Sequence, residues 1–452
     1  MNDQACLRCS VSVATACLRT AHRVHVLVSK NGRILRTMQR VQRIHIIRFA
    51  AAILVSSLVA CAGDSPSAPT GRTPAALIIE SGQQQSAVVA MSTDERPTVR
   101  IIDASGVGVP NVAVTFAVTA GDGWVVNAST TTDASGSAAT TWYLGPVPGT
   151  EQTLSVVGAG FSTTFSATAE PLSAGTTYTG ANSHVRFVAG NLPLIISAPH
   201  GGTQTPETIP DRSGPGITTV RDAETDVLAH ELRAAFEAET GNAPHVIVVE
   251  LHRRKLDANR EIGEAAEGNA AAERAWLEYH GFIEAARQHV IEQFGRGLYI
   301  DLHGHGHTIQ RLELGYLLSA TQLASDGATL NSGVLTQRSS IRTLAETGSA
   351  THVELLRGSH SLGTLFELHG YPAVPSASQP HPDGDPYFTG GYNTQRHGSR
   401  NGGPIDGVQI EANMQGVRDT GASRAGFATA LVSVIDAYFA AHYGGLLSSV
   451  RN

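Results

Sequence analysis

Two short motifs place histidine beside glycine in a way that suits a metal site. The motif APHGG carries His200, and the motif DLHGHGH carries His303, His305 and His307. Glycine neighbours leave an imidazole unshielded and let the backbone approach a bound ion. Imidazole nitrogen is a preferred ligand of zinc. The two motifs together therefore predict that a metal ligand lies among these histidines.

An acidic residue is expected to complete such a site. Zinc at a catalytic site takes three protein ligands and keeps one position for water. Glu224-Thr-Asp226 opens a predicted helix just downstream of His200. A carboxylate there can cap the helix and also face the strand ends. Either Glu224 or Asp226 is thus a candidate ligand, and the alternative is that both acids only cap the helix.

The segment RRKLDANR places several cations after a predicted strand. Guanidinium groups there suit the two-pronged capture of a substrate carboxylate. Arg260, which lies next to Asn259, is the better candidate for that role. Arg253, Arg254 and Lys255 are also compatible with an ordinary charged surface. We therefore expect a substrate that carries an acid group.

A second acidic candidate lies near the C-terminus, after the segment DPYFTGGY. In VQIEA, Val408 and Ile410 alternate with Gln409 and Glu411. A strand sends alternate side chains to opposite faces, so both polar side chains would share one face. Glu411 would then face the metal.

The elements around these motifs indicate an α/β domain over residues 175–445. LPLIISAPH, HVIVVELH and GLYIDLHGH are apolar runs that end in polar residues, whereas AETDVLAHELRAAFEAET, AAAERAWLEYHGFIEAARQHVIEQF and GFATALVSVIDAYFAAHY have helical spacing. In such folds ligands gather at the carboxyl ends of buried strands. His200, His252 and His303 each stand at such an end. We predict a mixed sheet with flanking helices, as in zinc exopeptidases.

An all-β domain is predicted before it, over residues 75–170. Short alternating runs are separated by Gly, Asp, Asn and Ser, and about seven strands would form a sandwich. The predicted strands include 98–103, 111–119, 137–144, 152–158 and 162–169. The string DASGVGVPNV, with VTFAV and FSATA, resembles bacterial immunoglobulin-like domains of the invasin and intimin type. Such domains imply a spacer, or alternatively a binding module.

The N-terminal residues 1–61 resemble an extension followed by a lipoprotein signal peptide. Arg40, Arg43 and Arg48 precede an apolar run that is too short to span a bilayer, and LVAC ending at Cys61 resembles a lipobox. We expect Met38 to be the true start and residues 62–74 to be a flexible linker. The protein is thus predicted to be exported and held at the bacterial cell envelope through lipidated Cys61.

Composition excludes other classes of chemistry. The 452 residues carry a formal net charge of -7 and lack long Lys/Arg runs, which argues against a nucleic-acid partner. All four cysteines, Cys6, Cys9, Cys17 and Cys61, lie in the first 61 residues. Both predicted domains must therefore fold without a disulfide and act without a thiolate.

The motifs of the α/β domain resemble, as a set, the N-formylglutamate amidohydrolase family, relatives of the zinc carboxypeptidases. APHGG, ETD, LDANR, DLHGH and DPYFTGGY…VQIEAN occur in the family's order over most of residues 185–420. The insertion at 322–361 has little resemblance. The resemblance implies one zinc per chain and the following roles: His200 and His303 as metal ligands, Asp226 or Glu224 as the third, Asn259 and Arg260 on a substrate carboxylate, and Glu411 as general base.

Three functions follow as hypotheses. The first is zinc-dependent hydrolysis of an amide bond next to a carboxylate, with N-formyl-L-glutamate as the family's substrate and a small acidic N-acyl amino acid as the substrate class. The second is a cell-envelope zinc peptidase or amidase acting on acidic or γ-glutamyl peptides. The third is a surface binding or adhesion protein whose hydrolase domain is inactive.

Overall fold

A computed structural model of the chain describes residues 71–445. The predictions for the N-terminal region lie outside the described residues: the signal peptide, the start at Met38 and the lipidation of Cys61. The four cysteines also lie outside them. Residues from Arg72 onward belong to one compact unit, which holds both the all-β part and the α/β part.

The first part of the described chain is a β-sandwich. Its sheets have the strand orders β1-β3-β7 and β2-β10-β9-β4-β6, and β5 pairs with β8 beside them. In β4, Val114 and Phe116 are each 1% exposed while Thr115 between them is exposed, as the predicted alternation requires. The strands of this part are β1 Ala76–Ser81, β2 Gln85–Val88, β3 Thr98–Ile102, β4 Ala113–Ala120, β5 Trp124–Val125, β6 Ser129–Thr131, β7 Ser137–Ala139, β8 Trp142–Tyr143, β9 Glu151–Gly158 and β10 Phe161–Glu170.

One predicted strand of the sandwich is divided in two. The run 137–144 forms β7 and β8, which are separated at Thr140 and Thr141. The first half pairs with β3 and the second half with β5. The prediction of one strand was wrong here because the chain changes its pairing partner, which an alternating sequence does not reveal.

The second part is an α/β fold built on one mixed sheet of order β11-β12-β14-β13-β15-β18-β16-β17. Strands β14, β13, β15 and β18 run parallel and are buried. The fold class predicted from the sequence is therefore confirmed. The strands are β11 Thr177–Thr179, β12 Val185–Val188, β13 Leu194–Ala198, β14 His245–Val249, β15 Gly297–Gly304, β16 Leu312–Gly315, β17 Ala373–Val374 and β18 Ile405–Ala412.

Helices cover both faces of this sheet, and five short ones, α4 to α8, fall in or beside the predicted insertion. Helix α11 is apolar and long enough to span a membrane by length and composition, but it packs against α1 and half of its apolar stretch is buried in the protein. The helices are α1 Thr225–Thr240, α2 Ile262–Ala266, α3 Ala270–Phe294, α4 Ala320–Leu323, α5 Gly327–Leu330, α6 Gly333–Thr336, α7 Arg342–Thr347, α8 His352–Arg357, α9 Leu362–Leu368, α10 Tyr392–His397 and α11 Gly421–His442.

The sheet brings the chemical motifs to one edge. His200 follows the end of β13, and the neighbouring strands β15 and β18 are in a register that pairs His303 with Glu411 and Asp301 with Gln409. Residues paired in this way point to the same face of a sheet. The carboxyl ends of three adjacent parallel strands thus converge on a single site.

Candidate active site

His200, Asp222 and His303 form a buried cluster of possible metal ligands. Oδ2 of Asp222 lies 3.3 Å from His200 Nδ1 and 3.1 Å from His303 Nδ1. The two imidazole rings are 4.8 Å apart and almost perpendicular. Zinc held tetrahedrally at about 2.0–2.2 Å would have its ligand atoms roughly 3.3 Å apart, which agrees with the two distances from Asp222 to the histidines.

Two further carboxylates hold the imidazole rings from behind. His200 Nε2 lies 2.7 Å from Asp257 Oδ1, and His303 Nε2 lies 3.1 Å from Asp301 Oδ2. When the proton of each neutral ring lies on Nε2, it is donated to the outer carboxylate, and Nδ1 then faces Asp222 with its lone pair. Histidines that bind metals almost always have such an outer partner.

The resulting arrangement of acceptors calls for a cation. In this tautomer both Nδ1 atoms are acceptors, and each lies at hydrogen-bond distance from a third acceptor, Asp222 Oδ2. Such a set repels itself unless a proton or a metal ion lies between its members. The residues present therefore fit the ligand set of a catalytic zinc ion, with two histidines and one carboxylate.

The ionisation of the carboxylates around the cluster also favours a bound cation. Burial opposes ionisation of Asp222, yet the facing histidines hold its pKa well below its usual range. For Asp257 and Asp301, burial is likewise outweighed, chiefly by His200 and His303 respectively, and each pKa is lowered. Three ionised carboxylates around two imidazoles make the site attractive to a divalent cation.

The acid in the cluster differs from both acids predicted from the sequence. Glu224 Oε2 accepts a hydrogen bond from Arg424 at 3.2 Å, and Asp226 packs against Gly201. Neither Asp226 nor Glu224, the acids predicted from the sequence as the third ligand, belongs to the cluster, in which the acid is Asp222. Helix α1 begins at Thr225, and Glu224 before it has a left-handed backbone, with φ of 68°. That turn lies between Asp222 and the helix, so Asp222 is not part of the helical segment in which Glu224 and Asp226 were predicted as ligands.

Glu411 lines the same cavity. It is buried, and its Oε1 accepts a hydrogen bond from Gln409 Nε2 at 2.8 Å. Burial, opposed by His303, raises the pKa of the Glu411 carboxyl to about 8. Glu411 lies outside the three-residue ligand cluster but lines the cavity that contains it.

The arginines of RRKLDANR have different surroundings in the folded protein. Arg253 donates from Nε to Asp257 at 3.0 Å and from Nη1 to Asp222 at 3.4 Å, so it lies in the site and not on an ordinary charged surface. Arg260 donates to Glu264 at 3.1 Å and is about one-third exposed. Asn259 accepts from the backbone of Asn393 at 2.8 Å. All three line the cavity, which offers two guanidinium groups to an acidic ligand.

The cavity has a volume of about 280 Å³, and the loop of residues 387–391 forms one of its sides. The backbone of Phe388 donates to Glu313 Oε2 at 2.8 Å, and Tyr387 donates its hydroxyl to the Leu314 carbonyl at 2.6 Å. The lining residues are His200, Asp222, Arg253, Asn259, Arg260, His303, Gly304, Tyr387, Phe388, Thr389, Gly390, Gly391, Gln409 and Glu411.

The remaining histidines of the two motif regions have other partners. His305 accepts the backbone N–H of His307 at Nδ1, and its Nε2 lies 2.8 Å from the Arg311 carbonyl. His307 pairs with Glu313 at 2.8 Å. His252 accepts a backbone N–H at Nδ1. Neither His305 nor His307 belongs to the cluster of His200, Asp222 and His303.

Comparison with known proteins gives distant similarities of fold. No family model and no curated protein matches the chain. The chain is similar to the crystal structure of N-formylglutamate amidohydrolase from Ralstonia eutropha JMP134, with 13% identity, coverage of 60% of this chain and 98% of that one, and a TM-score of 0.35. The chain is also similar to the crystal structure of gene product Atu2144 from Agrobacterium tumefaciens. The identity is 13%, the match covers 61% of this chain and 97% of that one, and the TM-score is 0.33.

The all-β part is similar to the D00-D0 domain of intimin, with 21% identity over 21% of this chain and 44% of that one, and a TM-score of 0.17. These sequence identities and TM-scores describe a likeness of fold alone.

Proposed function

We propose that the protein is a zinc-dependent amidohydrolase that cleaves an amide bond next to a substrate carboxylate. The observation that carries the proposal is the convergence of His200, Asp222 and His303 in a cavity that also holds Glu411 and two arginines. Zinc bound by the three residues would polarise the amide carbonyl and make a water more acidic.

The chain's own residues supply the rest of the chemistry. Glu411 takes the proton of the attacking water and returns it to the leaving nitrogen. Arg260 and Asn259 hold the substrate carboxylate at the cavity wall, and Arg253 neutralises charge beside Asp222. The loop of Tyr387 and Phe388 limits the access of solvent to the reacting bond.

The size of the cavity favours a small substrate. About 280 Å³ lies at the lower limit of ligand pockets, which usually measure about 300–1,000 Å³. That volume suits a single N-acylated acidic amino acid better than a long peptide. N-formyl-L-glutamate, giving formate and L-glutamate, is therefore the leading substrate.

The proposal is tested with the purified protein from residue 62 onward. We expect zinc near one per chain by elemental analysis and hydrolysis of N-formyl-L-glutamate that a chelator stops and added zinc restores. Peptides with acidic or γ-glutamyl groups serve as the comparison and should react more slowly. A protein that binds no zinc and stays inactive with added metal would be a binding protein instead.

Arg260→Lys is expected to raise KM for a substrate with a free carboxylate. An ammonium cannot reproduce the two-pronged contact, and the loss of one charge-assisted hydrogen bond of about 1.5–3 kcal/mol corresponds to roughly 10- to 100-fold. The same substrate with that carboxylate amidated should lose much less. Steady-state kinetics on both substrates give the comparison.

Arg254→Lys is the matched control, because Arg254 lies nearby but pairs with Asp211 at the surface. Its KM should stay near the wild-type value. Equal losses by Arg260→Lys on the free and the amidated substrate would show that Arg260 only supports the structure.

A further inference from the structure

The β-sandwich contacts the α/β part through a buried polar network. Tyr143 in β8 donates its hydroxyl to Glu278 Oε1 in α3 at 2.6 Å, and Arg274 Nε donates to the Tyr143 hydroxyl at 2.9 Å. Glu278 also accepts the backbone N–H of Ala181 at 3.0 Å. Trp124 stacks on the Tyr143 ring at 3.9 Å. Glu278 therefore joins three segments of the chain at one carboxylate.

The burial of Glu278 makes these partners important. Its side chain is 1% exposed, and a buried carboxylate without hydrogen-bond donors is strongly unfavourable. Its donors are Tyr143, Ala181 and Arg274, and of these only Tyr143 comes from the sandwich. The position of α3 is thus coupled to the sandwich by a contact that is costly to break.

Apolar packing fixes this side of α3 only in part. The cores of the two parts are continuous, with Trp142 and Phe165 in one cluster with Phe282. Beside the network, however, a cavity of about 430 Å³ separates Trp124 of the sandwich from Leu277 of α3. Close packing does not hold the helix there, so the polar contacts have more influence on its position.

The other face of α3 contacts the active site. Trp276 Nε1 donates to the Arg260 carbonyl at 2.9 Å. Asn393 donates its side-chain amide to the Tyr279 hydroxyl at 3.2 Å and its backbone N–H to Asn259 Oδ1 at 2.8 Å. Trp276 lies about 160° around the helix from Glu278, and Tyr279 about 100° from it, so α3 connects the residue bound by the sandwich with residues next to Asn259 and Arg260.

We propose that Tyr143 is a positioning residue for the substrate carboxylate site. It fixes α3 through Glu278, and α3 in turn fixes Arg260 and Asn259 through Trp276, Tyr279 and Asn393. The sandwich then acts as part of the recognition apparatus, in contrast to the spacer expected from its sequence. The inference rests on the proposed function, in which Asn259 and Arg260 bind the substrate carboxylate.

The test compares Tyr143→Phe with the wild-type protein. We expect KM for N-formyl-L-glutamate to rise by up to about tenfold, less than the roughly 10²-fold that a 1 Å misplacement can cost. The kcat and the zinc content should stay unchanged, and KM for the substrate with amidated carboxylates should change little. Ser137→Ala, which removes a hydrogen bond to Glu80 within the sandwich, is the control and should leave KM unchanged.

Trp276→Phe tests the same path from the other end and serves also if Tyr143→Phe does not fold. It should raise KM by itself, and adding Tyr143→Phe should raise KM by less than the product of the two single effects, because both changes act through the position of α3. Unchanged KM in an active, folded Tyr143→Phe protein overturns the inference alone. Equal effects on both substrates with lowered thermal stability also overturn it. A wild-type protein inactive on both substrates overturns the proposed function, and the inference with it.

Discussion

Asp222→Asn is expected to abolish stable zinc binding, whereas Asp226→Asn is expected to keep it. An amide oxygen carries no charge, so the Asn side chain cannot replace the ionised ligand between His200 and His303. Loss of an outer partner such as Asp257 usually costs about 10- to 100-fold in metal affinity, and loss of a direct ligand should cost more. The measurement is zinc affinity by competition with a chromogenic chelator, with elemental analysis of the purified variants.

Asp226 makes a sharp control because it is four residues from Asp222 and close to the same glycine motif. Glu224→Gln should keep zinc as well, since Glu224 pairs with Arg424. His200→Ala and His303→Ala should behave as Asp222→Asn does. Circular dichroism distinguishes a lost ligand from a lost fold. If Asp226→Asn loses zinc and Asp222→Asn retains it, the assignment of the third ligand is wrong.

The elements of the fold could largely be predicted because their patterns are local. The helical spacing of residues 270–294 predicted α3 with the bounds that the structure has. The apolar runs before His200 and within 297–305 predicted β13 and β15. The division of 137–144 into two strands could not be predicted, because strand pairing depends on distant partners and not on alternation.

The site was predictable only where a motif carries its own geometry. His200 follows a strand, and Glu411 alternates with apolar residues in another, so both could be placed at the sheet edge from sequence. Asp222 lies in irregular backbone, and its position depends on the turn at Glu224 and on the backbone contact of Asp222 N–H with the His200 carbonyl at 3.0 Å. Neither feature has a sequence pattern.

The roles of the two acids that orient the histidines could not be predicted from the sequence either. Asp257 and Asp301 stand inside motifs that were recognised, yet their roles depend on which ring nitrogen each one faces. The role of Arg253 likewise could not be predicted, because only its contacts with Asp222 and Asp257 distinguish it from a surface charge. Roles defined by tertiary distances of about 3 Å need the folded structure.

Glu411→Gln separates proton transfer from metal binding. The glutamine side chain has nearly the same shape but cannot accept the proton of water, so kcat should fall by about 10² to 10⁴. Zinc content, fold and KM should stay close to those of the wild-type protein, because the ligand cluster consists of other residues. Steady-state kinetics and elemental analysis on the same preparation measure both quantities.

Glu411→Asp is the companion variant. It keeps the carboxylate but withdraws it by one methylene, so its kcat should lie between those of the wild-type and the Gln variant if proton transfer is the role. A Gln variant that loses zinc would place Glu411 among the metal ligands. A Gln variant with zinc and near-normal kcat would show that another group takes the proton, and the position of Glu411 beside His303 would then serve the structure alone.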